Sequence, residues 1–90
     1  MVAEKELLIK NKLGLHARAA AQLVKTANRF SSEVKVEKDR NSVNGKSIMG
    51  VLTLAATCGS KVKITCEGPD AQDALAAIEQ LIEDKFNEGE

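Results

Sequence analysis

Glu33-Val34-Lys35-Val36-Glu37-Lys38-Asp39-Arg40-Asn41-Ser42-Val43-Asn44-Gly45 alternates charged and apolar residues, breaks, and then resumes. In the first six residues Val34 and Val36 fall on one side, the period-two signature of a strand half buried on a sheet. Asp39, Arg40 and Asn41 form a turn cluster, and Ser42-Val43-Asn44 reads as a short return strand closed by Gly45. The pair is an antiparallel hairpin. Its charged face suits water, so only the opposite face needs cover.

Toward the C-terminus, Ser47-Ile48-Met49-Gly50-Val51-Leu52 is a serine followed by an apolar run without alternation, which predicts a short helix capped by Ser47. Lys61 to Glu67 alternates again, with Val62, Ile64 and Cys66 inward and Lys63 and Thr65 outward, and Gly68-Pro69 stops it. Asp70 is placed to cap a long final helix, with Asp73 in its first turn. Ala71, Ala74, Leu75, Ile78, Leu81, Ile82 and Phe86 make that helix's buried stripe, and the acidic tail after Phe86 is expected to fray.

Toward the N-terminus, Lys5 to Lys10 carries Leu7, Leu8 and Ile9 between charges and reads as a first strand, ended by Asn11, Lys12 and Gly14. From Ala17 the run ARAAAQLVKTANRF is dense in helix formers, with Ala20, Leu23, Val24 and Ala27 on one side, and predicts a helix to about residue 28 or 29. The order is strand, helix, strand, strand, helix, strand, helix. An α+β fold with one antiparallel sheet and helices on one face buries every stripe. With no repeat, linker or low-complexity tract, residues 1–90 are expected to form a single domain.

Thirteen basic and thirteen acidic residues cancel, so no broad field gathers nucleic acid or anionic membrane. The chain has no Trp or Tyr and two Phe, which leaves no aromatic platform for unstacked bases. Nucleic-acid binding is not expected. Apolar runs fall far short of the ~20 residues that span a bilayer, and MVAEKELLIK lacks a signal-peptide core, so the expected location is the cytoplasm, without membrane insertion. Cys58 and Cys66 have no ligand partners at metal spacing; both are read as small buried hydrophobes, and no metal or cofactor is expected.

His16, the only histidine, stands directly before the first helical residue. Backbone N–H groups at a helix start have no intrahelical acceptor and point outward, and the partial positive charge there favours an anion by about 0.3 to 1 kcal/mol. Those of Ala17 and Arg18 lie beside the imidazole, and Arg18 adds a full charge with forked donors. Gly14 lets the preceding backbone turn sharply. The arrangement suits a histidine that accepts a phosphoryl group, holds it briefly and releases it. The same residues also fit a plainer account, in which His16 is a poor N-cap in a loop and Arg18 a solvated side chain.

Asn11-Lys12-Leu13-Gly14-Leu15-His16-Ala17-Arg18, followed by Asn44-Gly45-Lys46-Ser47-Ile48-Met49-Gly50-Val51-Leu52, resembles the histidine-containing phosphocarrier (HPr) family of the bacterial sugar phosphotransferase system. The resemblance extends through Glu67-Gly68-Pro69-Asp70-Ala71 into the last helix. It implies an open-faced β-sandwich (βαββαβα) with strand order 1-4-2-3 and three helices on one face. It implies that His16 takes a phosphate on Nδ1 from phosphorylated enzyme I, charged from phosphoenolpyruvate, and hands it to a IIA domain of a sugar permease, with Arg18 steadying the phosphate. The family usually has proline after this arginine, where this chain has Ala19; a looser helix start is expected from the loss of the fixed φ.

In the family, the serine of the matching Lys-Ser-Ile-Met-Gly motif is the target of an ATP-dependent kinase, which implies Ser47 as a regulatory phosphorylation site and an HPr serine kinase/phosphorylase and a transcriptional regulator as further partners. From burial habits alone, at least two of Ile48, Met49 and Val51 are expected in the core. The resemblance instead implies a docking face of Leu15, Lys25, Lys46, Ile48, Met49 and Val51 beside Arg18. Such a protein would be a stoichiometric carrier rather than an enzyme, and is expected to be a monomer. Two other classes stay open: a regulatory paralogue acting in nitrogen or carbon control by partner binding, and a non-covalent α+β interaction module.

Overall fold

The structure is a computed structural model that describes residues 1–87. The hairpin is β2 (Glu33–Lys38) and β3 (Asn41–Asn44), with Val36 opposite Val43 and Lys38 opposite Asn41. Its turn is only Asp39 and Arg40, at φ 50° and 72°, the pair of positive angles whose twist matches that of the flanking strands. Asn41 therefore belongs to the strand rather than to the turn.

β4 (Lys61–Glu67) lies between β2 and β1 (Val2–Leu8), so the sheet runs β1-β4-β2-β3 with every pair antiparallel. Val34, Val36, Val62, Ile64 and Cys66 are buried on one face, and α1 (Ala17–Ala27), α2 (Ile48–Thr53) and α3 (Ala71–Glu83) supply the rest of the core. This is the open-faced α+β sandwich that the sequence and the resemblance imply. Burial pushes the Cys66 thiol pKa up, and the Asp70 carboxylate adds to the shift.

Four local expectations are corrected. The first strand starts at Val2 and ends at Leu8 rather than spanning Lys5 to Lys10, because its seven residues match the seven of β4, from Val2 opposite Glu67 to Leu8 opposite Lys61. Ile9 is buried beyond the strand end, its N–H donating to Ser60 O at 2.8 Å. Phe86 is fully buried but is not on the final helix: Lys85, Phe86 and Asn87 wind left-handed at φ 54°, 55° and 61°, which turns the ring back under α1 and α3. Asn87 N–H still donates to Asp84 O at 2.9 Å, and the rest of the tail expected to fray lies outside the described residues.

Asp70 holds the N-cap position without capping. Its carboxylate instead accepts from Ser31 N–H and Ser32 N–H, each at 2.9 Å, and from the Ser32 hydroxyl at 2.5 Å. It thus ties the start of α3 to the chain between α1 and β2, and the Ser32 hydroxyl, followed by the Ser31 N–H, lowers its carboxyl pKa. Cys58 is exposed rather than buried, in the turn between α2 and β4, with its thiol donating to Lys10 O at 3.6 Å. Of the two cysteines only Cys66 is a core residue.

Candidate functional site

His16 is the N-cap of α1, half buried, with an extended backbone at φ −77° and ψ −178°. Its carbonyl accepts the first helical bond, from Ala20 N–H at 2.8 Å. The amides of Ala17, Arg18 and Ala19 precede that bond, so they are the donors at the open end of the helix. The imidazole makes no capping bond to them. Ala19 and Ala20 are fully buried and root the first turn in the core, while Ala17 and Arg18 are exposed. The helix starts at Ala17 with alanine, not proline, at position 19.

Two loops hold His16 in place. Leu15 N–H donates to Ala56 O at 2.8 Å, Gly59 N–H to Ile9 O at 2.8 Å, and Gly14 N–H to Asn11 O at 3.1 Å. Gly14 sits at φ 68°, and a Cβ there would lie 2.3 Å from Ala56 O and 2.8 Å from Thr57 Cα, so only glycine lets the loops meet. Fully buried Asn11 donates from Nδ2 to Gly14 O at 2.7 Å. Sequence reasoning read Asn11 only as a strand terminator and overlooked Ala56. An asparagine followed three residues later by glycine, the pattern of a β-turn, is a sequence signal for the first; nothing local in the sequence signals the second.

Ser47 caps α2 as expected, its Oγ accepting from Gly50 N–H at 3.1 Å. Beyond it, Ile48 is 42% and Met49 72% exposed, whereas Val51 is fully buried. The expectation of at least two core residues among the three is thus wrong: of the three, Val51 alone is buried, and the start of α2 leaves Ile48 and Met49 to solvent. The docking assignments of Leu15 and Val51 are corrected as well: at 3% and 0% exposure they brace the surface from beneath and cannot touch a partner. Lys25 is exposed on α1, and half-buried Lys46 extends its Nζ to Phe30 O at 2.8 Å. α1 and α2 pack side by side, so His16, Arg18, Lys25, Ile48 and Met49 belong to one helical layer.

A family model described as the PTS HPr component phosphorylation site matches residues 3–84 of this chain. The chain belongs to the HPr family. The phosphocarrier protein HPr of Treponema pallidum is 48% identical over 84 residues, covering 93% of this chain and 96% of that protein. The crystal structure of an HPr from Thermoanaerobacter tengcongensis superposes with a TM-score of 0.93 at 51% identity, over 96% of this chain and 97% of the other. The crystal structure of Crh from Bacillus subtilis, described as a catabolite repression protein with a swapped domain in an intertwined dimer, has a TM-score of 0.75 at 42% identity, over 94% and 97% of the two chains. A monomer is therefore not general among HPr-like proteins.

Proposed function

We propose that this chain is a cytoplasmic, monomeric phosphoryl carrier that accepts a phosphoryl group on His16 Nδ1 from phosphorylated enzyme I and delivers it to a IIA domain of a sugar permease. The observation that carries this reading is the placement of His16 as the N-cap of α1, with Ala17 and Arg18 as the first two helical residues after it. The ring nitrogen's lone pair forms the P–N bond as the bond from phosphorus to the donor breaks, and that electron pair stays with the donor. Donors already in position at a helix end stabilise charge on the phosphoryl oxygens without reorganisation. The Ala17 and Arg18 amides and the Arg18 guanidinium fill that role, and release to a partner reverses it. The protein is covalently changed and restored, a stoichiometric intermediate rather than an enzyme, and one domain spanning the chain suffices.

Ile48 and Met49, with Lys25, Lys46 and Arg18 around them, form the face presented to partners. A small apolar patch with a charged rim suits encounters that end quickly. Phosphorylation of Ser47 by an HPr serine kinase/phosphorylase would set nearly two negative charges beside this patch at a helix start that tolerates them, blocking docking while leaving the fold intact. Similarity to Crh favours a second reading, in which the Ser47-phosphorylated form engages a transcriptional regulator. The test is pyruvate release when the protein is mixed in excess with phosphoenolpyruvate and catalytic enzyme I. One pyruvate per chain, continuing to turnover when a IIA domain and its sugar are added, supports the carrier reading; no pyruvate above the enzyme I background moves the assignment to regulation by binding.

A further inference from the structure

We infer that Asn11 is a positioning residue for phosphoryl transfer: from inside the fold its carboxamide fixes the peptide that leads into His16, and so the direction in which the imidazole meets a partner. This role rests on the reading of His16 as the phosphoryl acceptor and concerns what aims it. Among the described residues, Asn11 and Ser32 are the two buried polar side chains. Ser32 is accounted for by Asp70, whose carboxylate accepts from its hydroxyl at 2.5 Å. Asn11 belongs to no strand or helix, and burying a polar amide is costly unless it secures hydrogen bonds that the fold needs. What it secures is the approach to His16.

The contacts converge on one planar unit, the peptide between Gly14 and Leu15. Its oxygen accepts from Asn11 Nδ2 at 2.7 Å, and its N–H donates to Ala56 O at 2.8 Å. Gly14 N–H donates back to Asn11 O at 3.1 Å, so residues 11 and 14 clasp each other through main chain and side chain together. Leu15 is buried, and beyond it the His16 carbonyl accepts from Ala20 N–H at 2.8 Å. The histidine is thus fixed by the loop on one side and by α1 on the other. Transfer needs the ring nitrogen, the phosphorus and the leaving group roughly in line, so a small misplacement of the ring slows the step even in a well-docked complex. Asn11 is at 0% exposure and cannot touch a partner. Its loss therefore changes how often a docked complex is aligned and leaves the docking surface as it was.

Asn11→Leu tests this in the full-length protein, because leucine keeps the branched shape and lacks the donor. With enzyme I as catalyst and the variant as phosphoryl acceptor, kcat falls by about tenfold or more while KM stays within about twofold of the parent. Three-bond couplings of His16 report one χ1 rotamer in the parent and averaging in the variant. Ser32→Ala, which removes the other buried polar contact beyond the far end of α1, is the stability control and transfers at the parent's rate. A purely structural Asn11 would lower stability as Ser32→Ala does, without moving kcat. If leucine prevents folding, Asn11→Ala is read in the same way below its own melting temperature. In the parent itself the Asn11 carboxamide protons exchange slowly with solvent, and exchange at the rate of a free asparagine overturns the inference without any variant. An unchanged kcat in a folded variant, or a raised KM at constant kcat, overturns it and leaves the carrier reading standing. A parent that never takes the phosphate overturns both.

Discussion

Replacing Gly14 with alanine tests whether the two loops around His16 act as one unit. Gly14 sits at φ 68°, where an L-residue costs roughly 1–2 kcal/mol. The added Cβ would also lie 2.3 Å from Ala56 O and 2.8 Å from Thr57 Cα, both backbone atoms that yield only if the loop moves. That movement breaks the bond from Leu15 N–H to Ala56 O, worth about 1 kcal/mol. The sum is about 2–3 kcal/mol, which for a domain of this size lowers Tm by about 10–20 °C. Urea unfolding of parent and Gly14→Ala gives the difference directly, read as a shifted midpoint at constant slope. Faster hydrogen exchange at Leu15 N–H locates the damage, and slower charging of His16 is expected with it. A loss below about 0.5 kcal/mol, within the range of ordinary surface substitutions, would refute the argument that Gly14 is what joins the loops.

Phe86→Ala empties a site at 0% exposure and is expected to cost about 3 kcal/mol or more in urea unfolding, which a merely frayed tail would not show. A thiol reagent should titrate one cysteine, Cys58, in the native protein and a second, Cys66, only after denaturation; two fast thiols would contradict the burial of Cys66 and the raised pKa that follows from it. The Asp70 carboxyl has a folded-state pKa below its unfolded one, so the stability it contributes is in full force above the ordinary carboxylate pKa of about 4 and is lost as pH falls through the folded value. The acid limb of the stability profile should therefore fall more steeply in the parent than in Asp70→Asn, and identical limbs would show that the serine contacts do not form in solution.

The strands and helices were legible where one physical signal dominated. Alternation placed β2 and β4 at their observed ends, and the alanine-rich run placed α1 to within a residue or two. β1 was misplaced because its first half, Val2 to Glu6, is mostly charged or exposed and shows little apolar pattern; pairing with β4 is what holds it. Phe86 keeps helical spacing from Ile82 yet reaches the core through three left-handed residues, an outcome that tertiary burial decides and local preference opposes. Asp70 satisfied the pattern of a cap, but serines 38 and 39 positions earlier competed for its oxygens and won. Around His16, the helix start at Ala17 and the sharp turn at Gly14 were readable because both signals are local. Which side chains around it reach the surface was not, since the burial of Leu15 and Val51 and the exposure of Ile48 and Met49 depend on how α1 and α2 pack. Ala55, a non-glycine residue at φ 50° in the loop that meets Gly14, gave no signal in the sequence at all.

The most direct test of the account is the intact mass of the protein after incubation with phosphoenolpyruvate and enzyme I, read beside His16→Ala and after brief acid treatment. The account predicts the mass of one added phosphoryl group on the parent, lost in acid, and none on the variant. An unmodified parent, with an authentic HPr charged in parallel, or an acid-stable phosphate retained by His16→Ala, would contradict it.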